Sequence, residues 1–467
     1  MSMLQRHPGA VAWLPVAITA TVLAQSVVGH APLRPLVLAL IVVWLVFVFA
    51  RTRATERAFL AAAFVSAAAV LASGGEWQAT LGVALDRGAE FVALMASLGL
   101  LRDAARTSRA VRRAGNWLIQ QSPSWRFLAI ALGGHGFGIA LNMGAVTLLA
   151  TLIKRSNTLE AAGGDPEVVA IREERMNVAL LQGFFSMLVW SPMAISVAFT
   201  LSMIRSVSWF DICLPAGTIA AMFLAVGWLV DRIKWPPSRR RSIPRKGPPP
   251  PVSDVLPMAG IIVGLVASVL GAKALLDLGM IESIAWFAGL FALVWLYVQY
   301  ARAGTLAAVP ATGRRLKVNL YRFVPEARGE QIVLGCASFL GVTLARLLQD
   351  FGASALLDAW QPSGFILSMS IVLFVIVGSQ FGIVALVTSA IAGGAVLGMQ
   401  NMPLTPFELV VSLQVGWSLS ATLSPYSGGT MLMARIMERD PSVFRRWSMP
   451  WAIVCFVLFG FLAWWRI

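Results

Sequence analysis

The chain has 467 residues, 58% of them hydrophobic and only 13% charged, with a formal net charge of +15. That apolar content exceeds what a soluble core needs, and alternation of period two is not sustained anywhere, which argues against a barrel. Apolar runs of the ~20 residues that cross a bilayer as a helix recur from end to end. The expected fold class is an all-α polytopic membrane protein.

In chain order the runs predict eleven transmembrane helices, near 10–29, 33–50, 57–73, 80–101, 175–205, 210–230, 256–276, 283–301, 330–349, 405–434 and 448–465. Two further apolar stretches, 125–153 and 363–398, are too long for one crossing and are interrupted by Gly. Each is expected to be a re-entrant hairpin that enters and leaves on one side. The first 30 residues, with Arg6, an apolar run and small residues after it, have the look of a signal peptide. An uncleaved first helix fits the topology better.

The basic residues gather in alternate loops. Arg51, Arg53 and Arg57 form one group, and Arg102, Arg106, Arg109, Arg112 and Arg113 the next. Lys154, Arg155, Arg172 and Arg175 follow, and then the segment 231–255. Later loops hold Arg302, Arg314, Arg315, Lys317, Arg322 and Arg328, then Arg435, Arg439, Arg445 and Arg446. The opposite loops, near 74–79, 277–283 and 350–362, have no basic residue. This positive-inside pattern places the N-terminus in the cytoplasm and the C-terminus outside, in a bacterial-type inner membrane. The charge sets orientation against the lipid bilayer, and no nucleic acid partner is expected. The three cysteines, Cys213, Cys336 and Cys455, are far apart, and His7, His30 and His135 are scattered. No metal-ligand spacing is present, and neither cofactor nor metal is expected. Residues 107–121 read as a basic amphipathic helix on the inner surface.

The segment DRIKWPPSRRRSIPRKGPPPPVSDV, 231–255, is a basic, Pro-rich cytoplasmic linker. The chain on its two sides is alike in order. RGAE at 87–90 matches RGEQ at 328–331, and FGI at 137–139 matches FGI at 381–383. GFFSMLVWSP at 183–192 matches GWSLSATLSP at 416–425, with Gln182 and Gln414 just upstream. The organisation expected is an extra N-terminal helix, 1–31, and a first repeat, 32–230, with hairpin 123–153 and broken helix 175–205. After the linker, a second repeat, 256–467, has hairpin 362–398 and broken helix 405–434. Five crossings and one hairpin in each half turn the second repeat upside down, an inverted-topology tandem repeat.

The Ser-Pro pairs explain the broken helices. Pro192 and Pro425 lack an N–H and free a carbonyl about one turn earlier. Such groups are tolerated at membrane depth only where they face a cavity or packed protein. Ser420, Thr422, Ser424, Ser427 and Thr430 surround the second break, and Ser186, Ser191 and Ser196 the first. A helix that restarts inside the membrane presents a positive N-terminus suited to an anion.

With these features the chain resembles the ion transporter superfamily, which includes divalent anion/sodium symporters, citrate–metal symporters and arsenite-efflux-type proteins. The resemblance covers about residues 33 to 465 and rests on architecture more than on identical residues. FGIALNMGAVTLLATLI, 137–153, is similar to the family's first hairpin, with Asn142 at the tip Asn and Met143-Gly144 where the family has Thr. SPYSGGTMLMARI, 424–436, before a short basic loop and a Trp-rich last helix, resembles the citrate–metal symporter ending. The second hairpin, GSQFGIVALVTSAIAGG, has Gln380, Thr388 and Ser389 in place of a Ser-Asn-Thr tip. The resemblance implies a homodimer. It also implies a substrate site built from the hairpin tips and breaks: Asn142, Gly144, Ser186, Ser191, Pro192, Gln380, Thr388, Ser389, Ser420, Thr422, Ser424, Pro425, Ser427 and Gly428.

Two ionisable residues are candidates for proton or ion coupling. Glu90 lies near the centre of the fourth crossing, where an acid is costly unless paired; Arg87, three residues earlier, is a partner on the same face. His135, in GGHGFG, precedes the first hairpin tip and could act by pH or only by hydrogen bonding. Arg346 and Asp350 have the spacing of a helix-end pair. The function expected is secondary active transport of a small anionic solute, an organic anion or oxyanion, by alternating access coupled to H⁺ or Na⁺, and not an enzyme. The absence of a phosphate-binding loop disfavours ATP-driven transport by this chain. A membrane transferase or polymerase acting on lipid-linked substrates is the alternative, though its outer loops would carry charge; a passive channel is the other.

Overall fold

The structure is a computed structural model that describes residues 8–236, 250–302 and 304–465. The linker prediction falls largely on 237–249, outside the described residues. Helices and short turns account for the fold, with no strand among the described residues. The chain is an all-α polytopic membrane protein.

In the first half the helices are α1 (Pro8–Val28), α2 (His30–Phe49), α3 (Ala54–Ser73), α4 (Trp77–Thr107), α5 (Arg109–Ile119), α6 (Pro123–Leu141), α7 (Met143–Ser156), α8 (Pro166–Ser186), α9 (Ile195–Met203) and α10 (Trp209–Lys234). The second half continues with α11 (Leu256–Leu276), α12 (Met280–Ala301), α13 (Thr305–Val318), α14 (Val324–Glu326), α15 (Arg328–Asp350) and α16 (Ala353–Trp360). It closes with α17 (Gly364–Gln380), α18 (Ala385–Leu397), α19 (Pro406–Leu423), α20 (Gly428–Met437) and α21 (Pro441–Trp464).

Seven helices among the described residues are long and apolar enough to cross a membrane: α2, α3, α10, α11 with the turn before it, α12, α15 and α21. They coincide with seven of the eleven predicted crossings. The other four differ for physical reasons. The apolar run of α1, Ala12–Val28, is slightly short. Helix α4 is 31 residues long and carries Asp86, Arg87, Glu90, Arg102, Asp103 and Arg106. The stretches 175–205 and 405–434, expected as broken helices, are each two helices. The basic stretch after 302, expected as a loop, is also helical. It forms α13, a five-residue π turn at Asn319–Phe323 and α14. Its Arg315 has a partner in the buried Asp103 of α4 (Nε to Oδ2, 3.1 Å), and the guanidinium of Arg106 lies 4.6 Å from the Phe323 ring centre.

The chain divides into two compact units that cut across the sequence halves. Unit 1 comprises Met1–Thr107, Ala267–Trp360 and Ala390–Asn401. Its hub is α4, which packs on α1, α2, α3, α12 and α15. The α4–α15 crossing is close because Gly88 faces Gly335; a Cβ at Gly88 would lie 3.1 Å from the Gly335 carbonyl oxygen. Small residues at a helix crossing allow this approach where lipid offers no hydrophobic drive between helices. Around it Ile18, Trp44, Val48, Ala89, Val92 and Ile332 form an apolar cluster.

Unit 2 comprises Ser108–Val266, Gln361–Ser389 and Met402–Ile467. Here α8 packs along α6, and α19 along α17. A Cβ at Gly134 would lie 2.7 Å from the Leu180 carbonyl oxygen, and one at Gly183 would run into the Ala131 carbonyl. The helix starts are written locally. Asp165 caps α8 ahead of Pro166, Thr405 and Glu408 form a capping box on α19, and Asp440 caps α21 ahead of Pro441. The amphipathic α5, capped by Ser108, matches the surface helix expected at 107–121.

Candidate functional site

Apart from Glu90, every residue singled out for substrate or coupling belongs to unit 2. Four interruptions hold them: the α6–α7 junction, the α8–α9 break, the α17–α18 junction and the α19–α20 break.

At the α6–α7 junction Asn142 has φ 49°, a conformation Asn tolerates better than most residues. Its side-chain Oδ1 accepts from the Met143 N–H at 2.8 Å and so caps α7. Gly144 follows in the first turn of α7.

At the first break α8 ends at Ser186, runs through a 3₁₀ turn at Met187–Val189, and resumes as α9 at Ile195. Pro192 cannot donate, so the turn cannot continue as helix. The freed carbonyls are not left open. Ser196 Oγ donates to Leu188 O at 2.6 Å, Trp209 Nε1 to Trp190 O at 2.8 Å, and Ser418 Oγ to Phe185 O at 2.9 Å. Ser191 is fully buried, and its Oγ accepts from Met193 N. His135 stands beside this break. Trp190 Nε1 donates to His135 Nε2 at 3.0 Å, and His135 Nδ1 lies 3.1 Å from Ser186 Oγ, which donates to Gly183 O. The chain of donors is complete with a neutral ring that carries its proton on Nδ1, and it fixes Trp190.

At the second break α19 ends at Leu423 and α20 starts at Gly428. Ser424 Oγ donates to Ser379 O at 2.7 Å, joining the break to the end of α17. Ser420 and Thr422 donate back to Trp417 O and Ser418 O within α19. Pro425 is half-buried, and Ser427 caps α20 by accepting from Thr430 N. Gln380 Nε2 donates to Ile376 O and Ser379 Oγ, and Thr388 Oγ1 to Ala385 O. Ser389 is fully buried, and its Oγ has no partner.

The structure therefore brings one group of predicted residues together. α7 packs on α20, and a Cβ on Gly428 would lie 2.8 Å from Met143 Cε. A Cβ on Gly429 would meet the Phe185 ring, also at 2.8 Å. The Asn142 tip, the α19–α20 break and the end of α17 thus form one neighbourhood. The first break reaches it through α19, which packs on the 3₁₀ turn and on α9, where Gln414 Nε2 donates to Thr200 Oγ1. Glu90 stands apart in unit 1, in the expected pair with Arg87 (Nη1 to Oε2, 2.7 Å). The helix-end pair Arg346–Asp350 is formed as well, at 3.2 Å.

Most hydroxyls around the breaks are already used on backbone. Besides Ser389 Oγ, what remains unpartnered there is a set of amides missing from the predicted site. Asn177, with both amide atoms, and the Oε1 atoms of Gln182 and Gln414 are buried without a hydrogen bond. A buried amide without a partner is costly, so such atoms call for water or solute. Gln182 and Gln414 were visible in the sequence as repeat markers; Asn177 had no signal. A cavity of about 540 Å³ lies elsewhere, in unit 1, lined mainly by apolar groups including Trp13, Val16, Leu100, Leu316 and Leu320.

No protein-family model matches the chain, and no curated protein does. Among solved structures it is similar to the YdaH transporter of Alcanivorax borkumensis, at 16% identity and a TM-score of 0.49 over 80% of this chain and 84% of that one. It is also similar to MtrF of Neisseria gonorrhoeae, described with a class of antimetabolite efflux pumps, at 11% identity and a TM-score of 0.48 over 88% of this chain and 94% of that one. Likenesses of this size assign no family to the chain.

Proposed function

We propose that the chain is a secondary transporter that carries a small anionic solute across the membrane, coupled to H⁺ or Na⁺, with its binding site in unit 2. The observation that carries this reading is the meeting of two helix N-termini. Helix α7 starts at the Asn142 turn and α20 at Ser427–Gly428, and a methyl on Gly428 would touch Met143. Each N-terminus presents free N–H groups and the positive end of its dipole, together a seat for an anion. Gly428 is exposed and Asn142 half-buried, so a solute can reach them.

The arrangement also supports the tandem-repeat reading, since each half has a buried Gln on the helix leading to its Ser-Pro break. The inverted topology and the cytoplasmic N-terminus belong to the same proposal. Gln182, Gln414 and Asn177 add neutral hydrogen-bonding groups for the polar part of the solute. Glu90 keeps a coupling role within this reading, whereas the satisfied network of His135 fits a positioning role for Trp190.

The test is flux into proteoliposomes, screened over dicarboxylates, citrate, sulfate and arsenite with and without Na⁺ and at two pH values. Asn142→Asp keeps the cap acceptor and tolerates the backbone angle, but places a negative charge at the paired N-termini. Uptake of the anion should fall at least tenfold while the melting temperature stays within about 2 °C. Undiminished anion uptake in that variant, or transport of neutral solutes only, would remove the anion site from this place.

A further inference from the structure

We infer that His30, Glu90 and Glu282 form a binding site for a divalent transition-metal cation. Their ligand atoms all lie within 4.8 Å of one another. They come from three helices of unit 1. His30 opens α2 directly after Gly29, whose φ of 99° turns the chain between α1 and α2. Glu90 lies in α4, and Glu282 in the first turn of α12.

Each carboxylate keeps an oxygen for an ion. Glu90 uses Oε2 on Arg87, and Glu282 uses Oε2 to accept from Gly279 N at 3.0 Å. Glu282 Oε1 lies 3.7 Å from His30 Nε2, too far for a hydrogen bond. The other ring nitrogen, His30 Nδ1, faces Asp86 Oδ2 at 3.8 Å and has no hydrogen-bond partner. Asp86 is fixed by Arg34, with Nη2 to Oδ2 at 2.6 Å and Nε to Oδ1 at 3.2 Å. Asp86 therefore stands on the side where the outer-shell carboxylate of a metal-bound His sits, and would have to close in by roughly 1 Å to accept the Nδ1 hydrogen bond that sets the tautomer.

Two further observations favour a cation. Gln25 is 1% exposed and donates to His30 O and Asp86 Oδ1, yet its Oε1 has no partner. The three carboxylates Asp86, Glu90 and Glu282 face two guanidinium groups, Arg34 and Arg87, which leaves one negative charge uncompensated when His30 is neutral. One nitrogen and two oxygen donors suit Zn²⁺ or Mn²⁺, with a remaining position open to water. Bond lengths of about 2.0–2.2 Å require the donors to close in by roughly 1 Å. The His30 side chain is 36% exposed, which gives an ion a way in. No spacing in the sequence announces this site, because its three residues come from distant segments.

The experiment uses the full chain, stripped with a chelator in detergent, and is independent of transport. Zn²⁺ and Mn²⁺ are titrated by calorimetry, and Co²⁺ by visible absorption. The expected result is one ion per chain, Co²⁺ bands of nitrogen and oxygen ligation, and a metal-dependent rise in melting temperature. His30→Ala and Glu282→Gln should each weaken binding at least tenfold. The His30 side chain makes no hydrogen bond among the described residues, so His30→Ala should melt normally without metal and decides the matter even if the α12 cap variant unfolds. No ion bound by the parent chain, or equal affinity in His30→Ala, overturns the site.

Discussion

The two units bury polarity in different ways. Around α4, unit 1 keeps full charges inside and matches them: Asp86 with Arg34, Glu90 with Arg87, Asp103 with Arg315. Around its breaks, unit 2 keeps hydroxyls and amides, and its ion pairs Arg175–Asp231, which is buried, and Arg439–Glu173, whose guanidinium is exposed, lie away from the breaks on α8, α10 and the α20–α21 turn. A charged interior tolerates little change, because each ion depends on a few partners in a medium that punishes an unpaired charge. A hydroxyl interior satisfies the backbone atom by atom and leaves single acceptors to spare. The second arrangement suits a place where a solute comes and goes, and the first a place where the framework or a resident ion is fixed.

The largest expected effect tests whether charge is dearer where it is more deeply buried. Arg175 and Asp231 have side chains 10% and 3% exposed, in a two-point pair at 2.7 and 2.8 Å. Arg175→Ala should cost about 3 kcal/mol in thermal or denaturant unfolding. The Arg34–Asp86 pair, 34% and 9% exposed, is more hydrated, and Arg34→Ala should cost about 1 kcal/mol. Equal losses would break the distinction.

A second comparison sets backbone contacts side by side. Gly183→Ala drives a methyl into the Ala131 carbonyl, a rigid obstacle, whereas Gly88→Ala brings one to 3.1 Å from the Gly335 carbonyl oxygen. The expected costs are about 3 and about 1 kcal/mol, read as melting temperature in detergent. Reversal of that order would mean that the α6–α8 pair relaxes more readily than α4–α15.

The smallest effect is at the membrane surface. Hydrogen bonds to Ser442, first through the side chain and then through the backbone, hold Asp440 below the ordinary carboxylate pKa. A depressed folded-state pKa contributes stability that is present above the unfolded value, near 3.8, and is lost as pH falls through the folded one. Asp440→Asn should therefore lower the melting temperature slightly at neutral pH and flatten its fall below about pH 4, so that the two proteins converge in acid. An unaltered acid limb would show that this cap is not coupled to global unfolding.

Much of the fold could be read from sequence, because lipid imposes length and composition on each crossing and Pro dictates where a helix stops. The Ser-Pro breaks were legible for that reason. The helix after residue 302 was not, because its basic residues look like a loop until Asp103 and Phe323 are seen to hold them. The Gly-rich crossings were visible as composition but not as contacts. In the candidate site, Asn142 and the break residues could be picked out by resemblance and by the chemistry of a freed carbonyl. Sequence could not say which hydroxyls would be consumed by backbone, and so it passed over the amides left unmatched. The His30–Glu90–Glu282 cluster is a product of packing alone.

The contact between α6 and α8 has a mechanical consequence. Where Gly183 meets Ala131 backbone against backbone, no side chain lies between the helices as a cushion. Packing this close resists sliding or separation of the two helices through that stretch, as in a single stiff beam. One end of the beam carries the Asn142 turn, and the same end of its other strand carries the 3₁₀ turn and Pro192. A displacement of either turn would reach the other through backbone contact, without any relay of side chains.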